Sequence, residues 1–182
     1  MTKITENNLQ DIISETEFSN ITFSWIDFSN YKFDTKKIHD CIFEKCNLSN
    51  ISVKNTCFNN VEFIKTKILW VDFCVVKDLL LYFNFKDCMI TLCSFNEMNL
   101  KNIWFWASDI FESNFTWTNL TWADLSFSDL DKSIFLSSNL TKTIFTWAMN
   151  YSINPLNNTL EKTKFSRDNV FWLLDSFDII VE

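Results

Sequence analysis

Every fifth residue is large and apolar over most of this chain. Phe18, Phe23, Phe28, Phe33, Ile38, Phe43, Leu48, Val53, Phe58, Phe63, Ile68 and Phe73 form one unbroken run. Phe95, Leu100, Phe105, Ile110, Phe115, Leu120, Leu125, Leu130, Phe135, Leu140 and Phe145 form a second. Two residues before the large one, from Ile110 onward, the second run turns small: Ser108, Ser113, Thr118, Ala123, Ser128, Ser133, Ser138, Thr143. Directly before it stands, repeatedly, Asn or Asp: Asn99, Asp109, Asn114, Asn119, Asp124, Asp129, Asn139. A period of five fits neither the 3.6 of a helix nor the 2 of a strand, so it is an internal repeat.

If five residues make one short side and one corner, four sides close a square of about 20 residues. The large and the small residue point inward and the other three outward. Stacked squares put neighbouring chain segments about 4.8 Å apart, so the backbone bonds as a parallel ladder and the rod is roughly 35 Å tall. The pattern predicts an all-β, four-sided parallel β-helix in a single domain over residues 1–182. Residues 1–12 form an N-terminal cap, with one helical turn or a first strand at Asn8–Ile13, and 13–165 the β-helix. Between Phe73 and Phe85 the phase slips by two residues, which places an insertion within 74–84, read as a corner bulge with an apolar plug. Tyr31 and Lys36 fill slots that want a small side chain. Burying a lysine is costly, so a bulge at Asp34–Lys37 with Lys36 turned to solvent is expected.

After Phe145 the pattern frays through Asn150 and Pro155, then Leu160 and Phe165 keep the phase. Ser166 reads as a helix N-cap with Asp168 in the first turn. Val170, Phe171, Leu173 and Leu174 follow as an apolar face at helical spacing, and Phe177–Val181 reads as a short strand.

Composition sharpens this picture in three places. The chain has no Gly and one Pro, so Asn, Asp, Ser and Thr are expected to make the corners through bonds to their own backbone. Six Cys contain no CxxC pair, and Cys41, Cys46, Cys88 and Cys93 occupy the small slot. They read as small buried thiols of a reducing compartment, and with His39 the single His, neither a metal nor any other cofactor is expected. No run of about 18 apolar residues suggests a membrane span, and the N-terminus lacks the apolar core of a signal peptide, so a cytoplasmic protein is expected. An enzyme is not expected, because no Gly-rich phosphate loop or nucleophile elbow is possible.

Segments such as Ser-Asn-Phe-Thr-Trp, Thr-Asn-Leu-Thr-Trp, Ala-Asp-Leu-Ser-Phe and Ser-Asp-Leu-Asp-Lys, within Ser113–Lys132, resemble the pentapeptide repeat family. The resemblance spans about Ile13 to Phe165 and implies a right-handed quadrilateral β-helix. The tail, with Asn154-Pro155, the Phe165-Ser166 step, an apolar helix and a final Ile-Ile-Val-Glu, resembles the quinolone-resistance (Qnr- and MfpA-like) subgroup. That resemblance implies a homodimer through the C-terminal segment 166–182, carried here by Phe171, Trp172, Leu174, Ile179, Ile180 and Val181. It also implies an acidic rod that mimics DNA in the DNA-binding saddle of DNA gyrase or topoisomerase IV. The chain departs from many Qnr proteins in lacking a long inserted loop.

Wrapping the repeat into squares adds a charge argument. Between Lys101 and Lys132 there is no base but five acids, Asp109, Glu112, Asp124, Asp129 and Asp131. Asp124 belongs to the side of Phe105 and Leu125. The other four belong to the adjacent side, of Ile110 and Leu130. The other two sides at this height carry Asn114, Trp117, Asn119 and Trp122. The whole chain has a net charge of −7. Such a rod would repel phosphates, so direct nucleic-acid binding is not expected, but it suits a basic groove. Corner Asp residues can also be explained as turn formers, which covers Asp109, Asp124 and Asp129 but not Glu112 and Asp131. Outward Trp70, Trp104, Trp106, Trp117, Trp122 and Trp147 read as surface ladders, with Phe127 stacking on Trp147 twenty residues on. A scaffold that binds an unrelated protein through these Trp faces is the alternative reading.

Overall fold

The computed structural model describes residues 1–177 and is a four-sided parallel β-solenoid of about eight turns. Its longest sheet stacks Thr2–Ile4, Ile21–Ser24, Lys37–Glu44, Cys57–Ile64, Tyr82–Lys86 and Phe105–Trp106, each parallel to the next. The register is the repeat itself: Phe23 faces Phe43, Phe43 faces Phe63, and the amide of Phe28 donates to the carbonyl of Asn47 on the next turn. Four faces follow from the twenty-residue turn. Face 1 carries Phe105, Leu125 and Phe145; face 2 Ile110 and Leu130; face 3 Phe95, Phe115 and Phe135; face 4 Leu100, Leu120 and Leu140.

The large residues fill the interior and every one of the two runs is buried. Two ring stacks climb through it. Phe23, Phe43, Phe63, Phe85 and Phe105 stack at 4.9–5.3 Å on face 1. Phe73, Phe95, Phe115 and Phe135 stack at 4.9–5.0 Å on face 3. Across the interior the stacks meet edge to face, as Phe105 and Phe115 do at 5.6 Å, the arrangement aromatic quadrupoles favour.

The small slot is small for packing and polar for bonding. Thr118 donates its hydroxyl to the Phe95 carbonyl, Ser133 to Ile110 and Thr143 to Leu120, always the large residue one turn back. Where the corner amide bonds back within its own corner, Ala is tolerated: the Ala123 amide donates to the Leu120 carbonyl. At other corners the amide instead reaches a hydroxyl on the next turn, as Cys88 does to Ser108 and Ser108 to Ser128, both at 3.1 Å. Cys41, Cys46, Cys88 and Cys93 are buried in this slot, and burial pushes their thiols up to about 11, 11, 12 and 12. Cys57 is half-buried and Cys74 exposed.

The corners depart from expectation. Asx turns are present, with Asn114, Asn119 and Asn139 accepting from the amide two residues on. The left-handed residue at each corner, however, is any residue, including Trp25, Trp70, Trp117, Trp122, Trp147, Phe127, Lys45 and Leu92, at φ of 54–63°. Turns with a positive φ at their third residue favour Gly or Asn. Here the ladder on both sides overrides that preference.

Lys36 is not turned to solvent and no bulge surrounds it. The Lys36 amide closes an ordinary corner onto the Phe33 carbonyl, with Thr35 left-handed. Its ammonium points toward the end of the rod, where it donates to the carbonyls of Ile13 and Glu15 and lies 5.1 Å from the centre of the Phe18 ring. Desolvation lowers its pKa below the usual lysine value. Above it, a 3₁₀ turn at Glu6–Asp11 lays Leu9 over the open core, and the strand Thr2–Ile4 completes the first rung.

The two inserted residues fall between Phe73 and Phe83. Asp78, where a stack on Phe58 would continue, is exposed. Phe83 pairs instead with Val61, in a small slot, and fills the gap with its ring 6.0 Å from Phe58 and 5.5 Å from Phe73. Leu79 and Leu80 at the tip of the insertion are exposed. Near the other end one strand slips the other way: Phe135 pairs with Ile153, while Phe145 pairs with Phe165 in the ordinary twenty-residue register, and buried Tyr151 packs its ring on Phe145 and Phe165.

Candidate protein-binding faces

Asp124, Asp129 and Asp131 are half-buried, while Asp109 and Glu112 are exposed. The five divide by what they bond. The Asp124 carboxylate accepts the Ser126 amide at 2.8 Å, and Asp129 accepts the amide of Asp131 at 3.2 Å and the Asn150 side chain at 2.7 Å. Those two make turns. Glu112 reaches Lys132 at 3.6 Å, an exposed pair of small energetic weight. Asp109 and Asp131 have no hydrogen-bond or ion-pair partner for their carboxylates among the described residues.

Register brings the acids of face 2 together. Asp109 pairs with Asp129 on the next turn, in one column that runs from Asp27 through Asn47, Lys67 and Met89 up to Met149. Asp109, Asp129 and Asp131 line one shallow groove of about 140 Å³ with Ile110 and Phe111. Like charges directly opposite one another on a ladder are destabilising. Asp124 lies round the corner on face 1, between Trp104 and Ile144 in its column. Faces 3 and 4 at this height carry Asn114, Asn119, Trp117 and Trp122.

The outward aromatics are held in different ways. Lys45 lies 4.4 Å over the ring of Trp25 and Lys142 4.2 Å over that of Trp122, each from the turn above. Lys86 covers Trp106 at 5.2 Å. Phe127 does not stack on Trp147 as expected; its ring meets Trp106 edge to face at 5.7 Å, since Trp106 leans up from the turn below. Trp25, Trp70, Trp117, Trp122 and Trp147 are all exposed, and of these only Trp25 and Trp122 have a lysine over the ring among the described residues. The cation–π ladders were missed in the sequence, although the twenty-residue spacing of Trp25 and Lys45, and of Trp122 and Lys142, carries them.

The tail folds as a 3₁₀ helix, Arg167–Phe177, with Asp168 in its first turn. Ser166 does not spend its hydroxyl on that helix: it accepts the Trp147 amide and so ends the solenoid. Asn169 locks the helix down, donating to the Ala148 carbonyl at 2.9 Å and accepting the Tyr151 hydroxyl on its own carbonyl at 2.6 Å. Trp172 and Leu173 pack against the core, so they do not share an outward face with Phe171 and Leu174. With three residues per turn, Phe171, Leu174 and Phe177 align on one side, and all three are exposed. Ile179, Ile180 and Val181, and the strand expected around them, lie outside the described residues.

A groove of about 530 Å³ opens beside the insertion and is lined by Asp72, Cys74, Asp78, Asn96 and Glu97 among others. Among the described residues no three His, Cys, Asp or Glu side chains gather closely enough to hold a metal ion, and no helix is long and apolar enough to cross a membrane.

A family model of pentapeptide repeats matches residues 118–149 as eight copies. The solved structure of a trypsin-treated form of QnrB1, a plasmid-mediated fluoroquinolone resistance protein, superposes with a TM-score of 0.53 at 15% identity, covering 91% of each chain. Full-length QnrB1 gives 0.42 at 15% identity over 97% of this chain and 95% of that one. Rfr23, a pentapeptide repeat protein of the cyanobacterium Cyanothece 51142, gives 0.27 at 14% over 90% and 96%. No curated protein sequence matches the chain. The family model matches part of the repeat, and the likeness to trypsin-treated QnrB1 shows the fold, a four-sided β-helix.

Proposed function

We propose that this protein binds a type II topoisomerase, DNA gyrase or topoisomerase IV, in place of DNA, and so modulates the enzyme or protects it from quinolones. The observation that carries this is the uncompensated charge of face 2. Asp109 and Asp129 stack in register, Asp109 and Asp131 have no cation among the described residues, and the groove between them stays open. A rod of this width with acids on two adjacent faces complements a basic groove shaped for a duplex, and the same charge speeds encounter. The fold shared with a fluoroquinolone resistance protein supports the choice of partner. We place the protein in the cytoplasm, with no direct contact to nucleic acid and no catalytic role.

The exposed row Phe171, Leu174 and Phe177 supports a homodimer through the C-terminal segment, with Ile179, Ile180 and Val181 proposed to extend it. Trp172 then acts indirectly, by holding the helix against the solenoid. Purified protein should change gyrase supercoiling or its quinolone sensitivity. No effect at micromolar protein on gyrase and topoisomerase IV alike would overturn the proposal.

A second reading, a scaffold for an unrelated protein, draws on the upper part of face 3, where the uncharged Trp117, Ile134 and Leu136 are exposed together. Reversing Asp109, Glu112, Asp129 and Asp131 to Lys separates the two, since it abolishes topoisomerase binding but leaves binding through face 3 intact.

A further inference from the structure

The corner between faces 1 and 2 carries an apolar strip that neither the fold nor the acidic groove uses. Phe127 and Trp147 stand on consecutive turns of one column, both left-handed at φ 63° and 60°, and 52% and 49% exposed. Asn20, Asn30 and Asn50 show the residue this slot accepts at least backbone cost. Aromatic rings at such a corner are therefore locally unfavourable. At Trp25 and Trp122 a lysine from the next turn compensates; among the described residues none lies over Phe127 or Trp147. Trp106 continues the strip downward against Phe127, and Met149, 46% exposed, continues it round the corner from Trp147. The strip covers three turns, about 10–15 Å along the rod.

Asp129 pairs with Met149 in the adjoining column and Asp109 with Asp129, so two of the strip's three turns are bordered by a carboxylate. We propose that this corner, Trp106, Phe127, Trp147 and Met149 with Asp109 and Asp129, is a docking strip for a protein segment that presents lysine or arginine beside apolar side chains. Nucleic acid and anionic lipid are repelled by the same carboxylates, and a purely charged surface would leave the rings in water. The inference rests on the reading that the acidic faces bind protein, and it adds a consequence. Binding has a salt-sensitive part from the carboxylates and a salt-insensitive part from the strip.

The probes are two labelled synthetic peptides of equal charge, one alternating Lys with Leu and one Lys with Ser, titrated by fluorescence anisotropy at low and high salt. The Lys/Leu peptide should bind the wild-type protein at least tenfold more tightly. The double variant Phe127→Asn/Trp147→Asn should lose that preference while keeping the salt dependence. Asn suits the left-handed slot, so its melting temperature should not fall; Met149→Thr, at an ordinary backbone position, is the second variant if it does. Asp109→Asn/Asp129→Asn should flatten the salt dependence. Equal affinity for both peptides, no binding of either, or an unchanged preference in the aromatic variants would overturn the strip. Repeating the titration with gyrase separates the two proposals. A protein that prefers Lys/Leu but ignores gyrase keeps the strip and loses the topoisomerase reading. One that binds gyrase equally well with and without its corner rings does the opposite.

Discussion

Replacing Ser128 by Ala should be among the most damaging one-atom changes in this chain. Ser128 is fully buried, and its hydroxyl serves two backbone groups: it donates to the Phe105 carbonyl one turn down and accepts the Ser108 amide at 3.1 Å. Removing the oxygen strands a buried carbonyl and a buried N–H together, with no room for a replacing water. A stranded buried polar group costs about 1–3 kcal/mol, so the pair costs roughly 2–6 kcal/mol. For a chain of this size that is a fall in melting temperature of roughly 5–20 °C. The assay is urea denaturation of both proteins, with amide hydrogen exchange to locate the damage. The Ser108 amide should lose protection selectively, because Ser128 is its partner, whereas the Ala123 amide, which bonds within its own corner, should keep it. Ser128→Cys should recover part of the loss, since Cys88 in the same slot still donates to the Phe63 carbonyl at 3.2 Å. A cost below about 0.5 kcal/mol with Ser108 still protected would refute the view that the small slot is polar for bonding.

Four further outcomes are expected. Phe115→Ala removes one ring from a stack whose neighbours lie 4.9 and 5.0 Å away and should cost about 3–5 kcal/mol by denaturation, far more than Phe127→Asn at the surface. Lys36→Met should free the Glu15 carbonyl and leave Ile13 with the Tyr31 hydroxyl alone, raising hydrogen exchange in residues 1–15 while leaving later turns protected. The thiols of Cys41, Cys46, Cys88 and Cys93 keep their protons in the fold to about 11–12, against 9.0 when exposed, so the unfolded chain releases protons first as pH rises. Stability should therefore be lost between pH 9 and about 12, at about 1.4 kcal/mol per thiol per pH unit, and the four-fold Cys→Ser variant should lack this alkaline slope in denaturant titrations. Finally, Phe171→Glu should halve the mass in solution by light scattering if the helix face joins two copies; an unchanged mass removes Phe171 from the interface.

Much of the solenoid was legible in the sequence because its period is carried by side-chain size, and size decides which residues can enter a narrow interior. The large and small columns, the twenty-residue turn and the slip before Phe85 are all facts of spacing. Lys36 was misplaced because spacing shows that a slot is inward-facing but not that the slot lies at the end of the rod, where the Ile13 and Glu15 carbonyls can accept from an ammonium. Phe83 could not be assigned either: it keeps the old phase and fills a small slot, a choice made by the hole above Phe58. The candidate site was legible only as a set of acids on two faces. Which of them make turns depends on side-chain direction, and that divides Asp124 and Asp129 from Asp109 and Asp131.

By itself the sequence determined a rod, its four faces and the sign of the charge on them. These follow from periodicity and from ions that cannot enter an apolar core. Only the tertiary structure decided which groups on those faces are spent. Stacking one turn on another satisfies some carboxylates, covers some rings with lysine, turns Trp172 inward and Phe171 outward, and leaves Asp109, Phe127 and Trp147 open. The reason is physical: a repeat specifies its positions one turn at a time, but what each position touches is set by the turn above it.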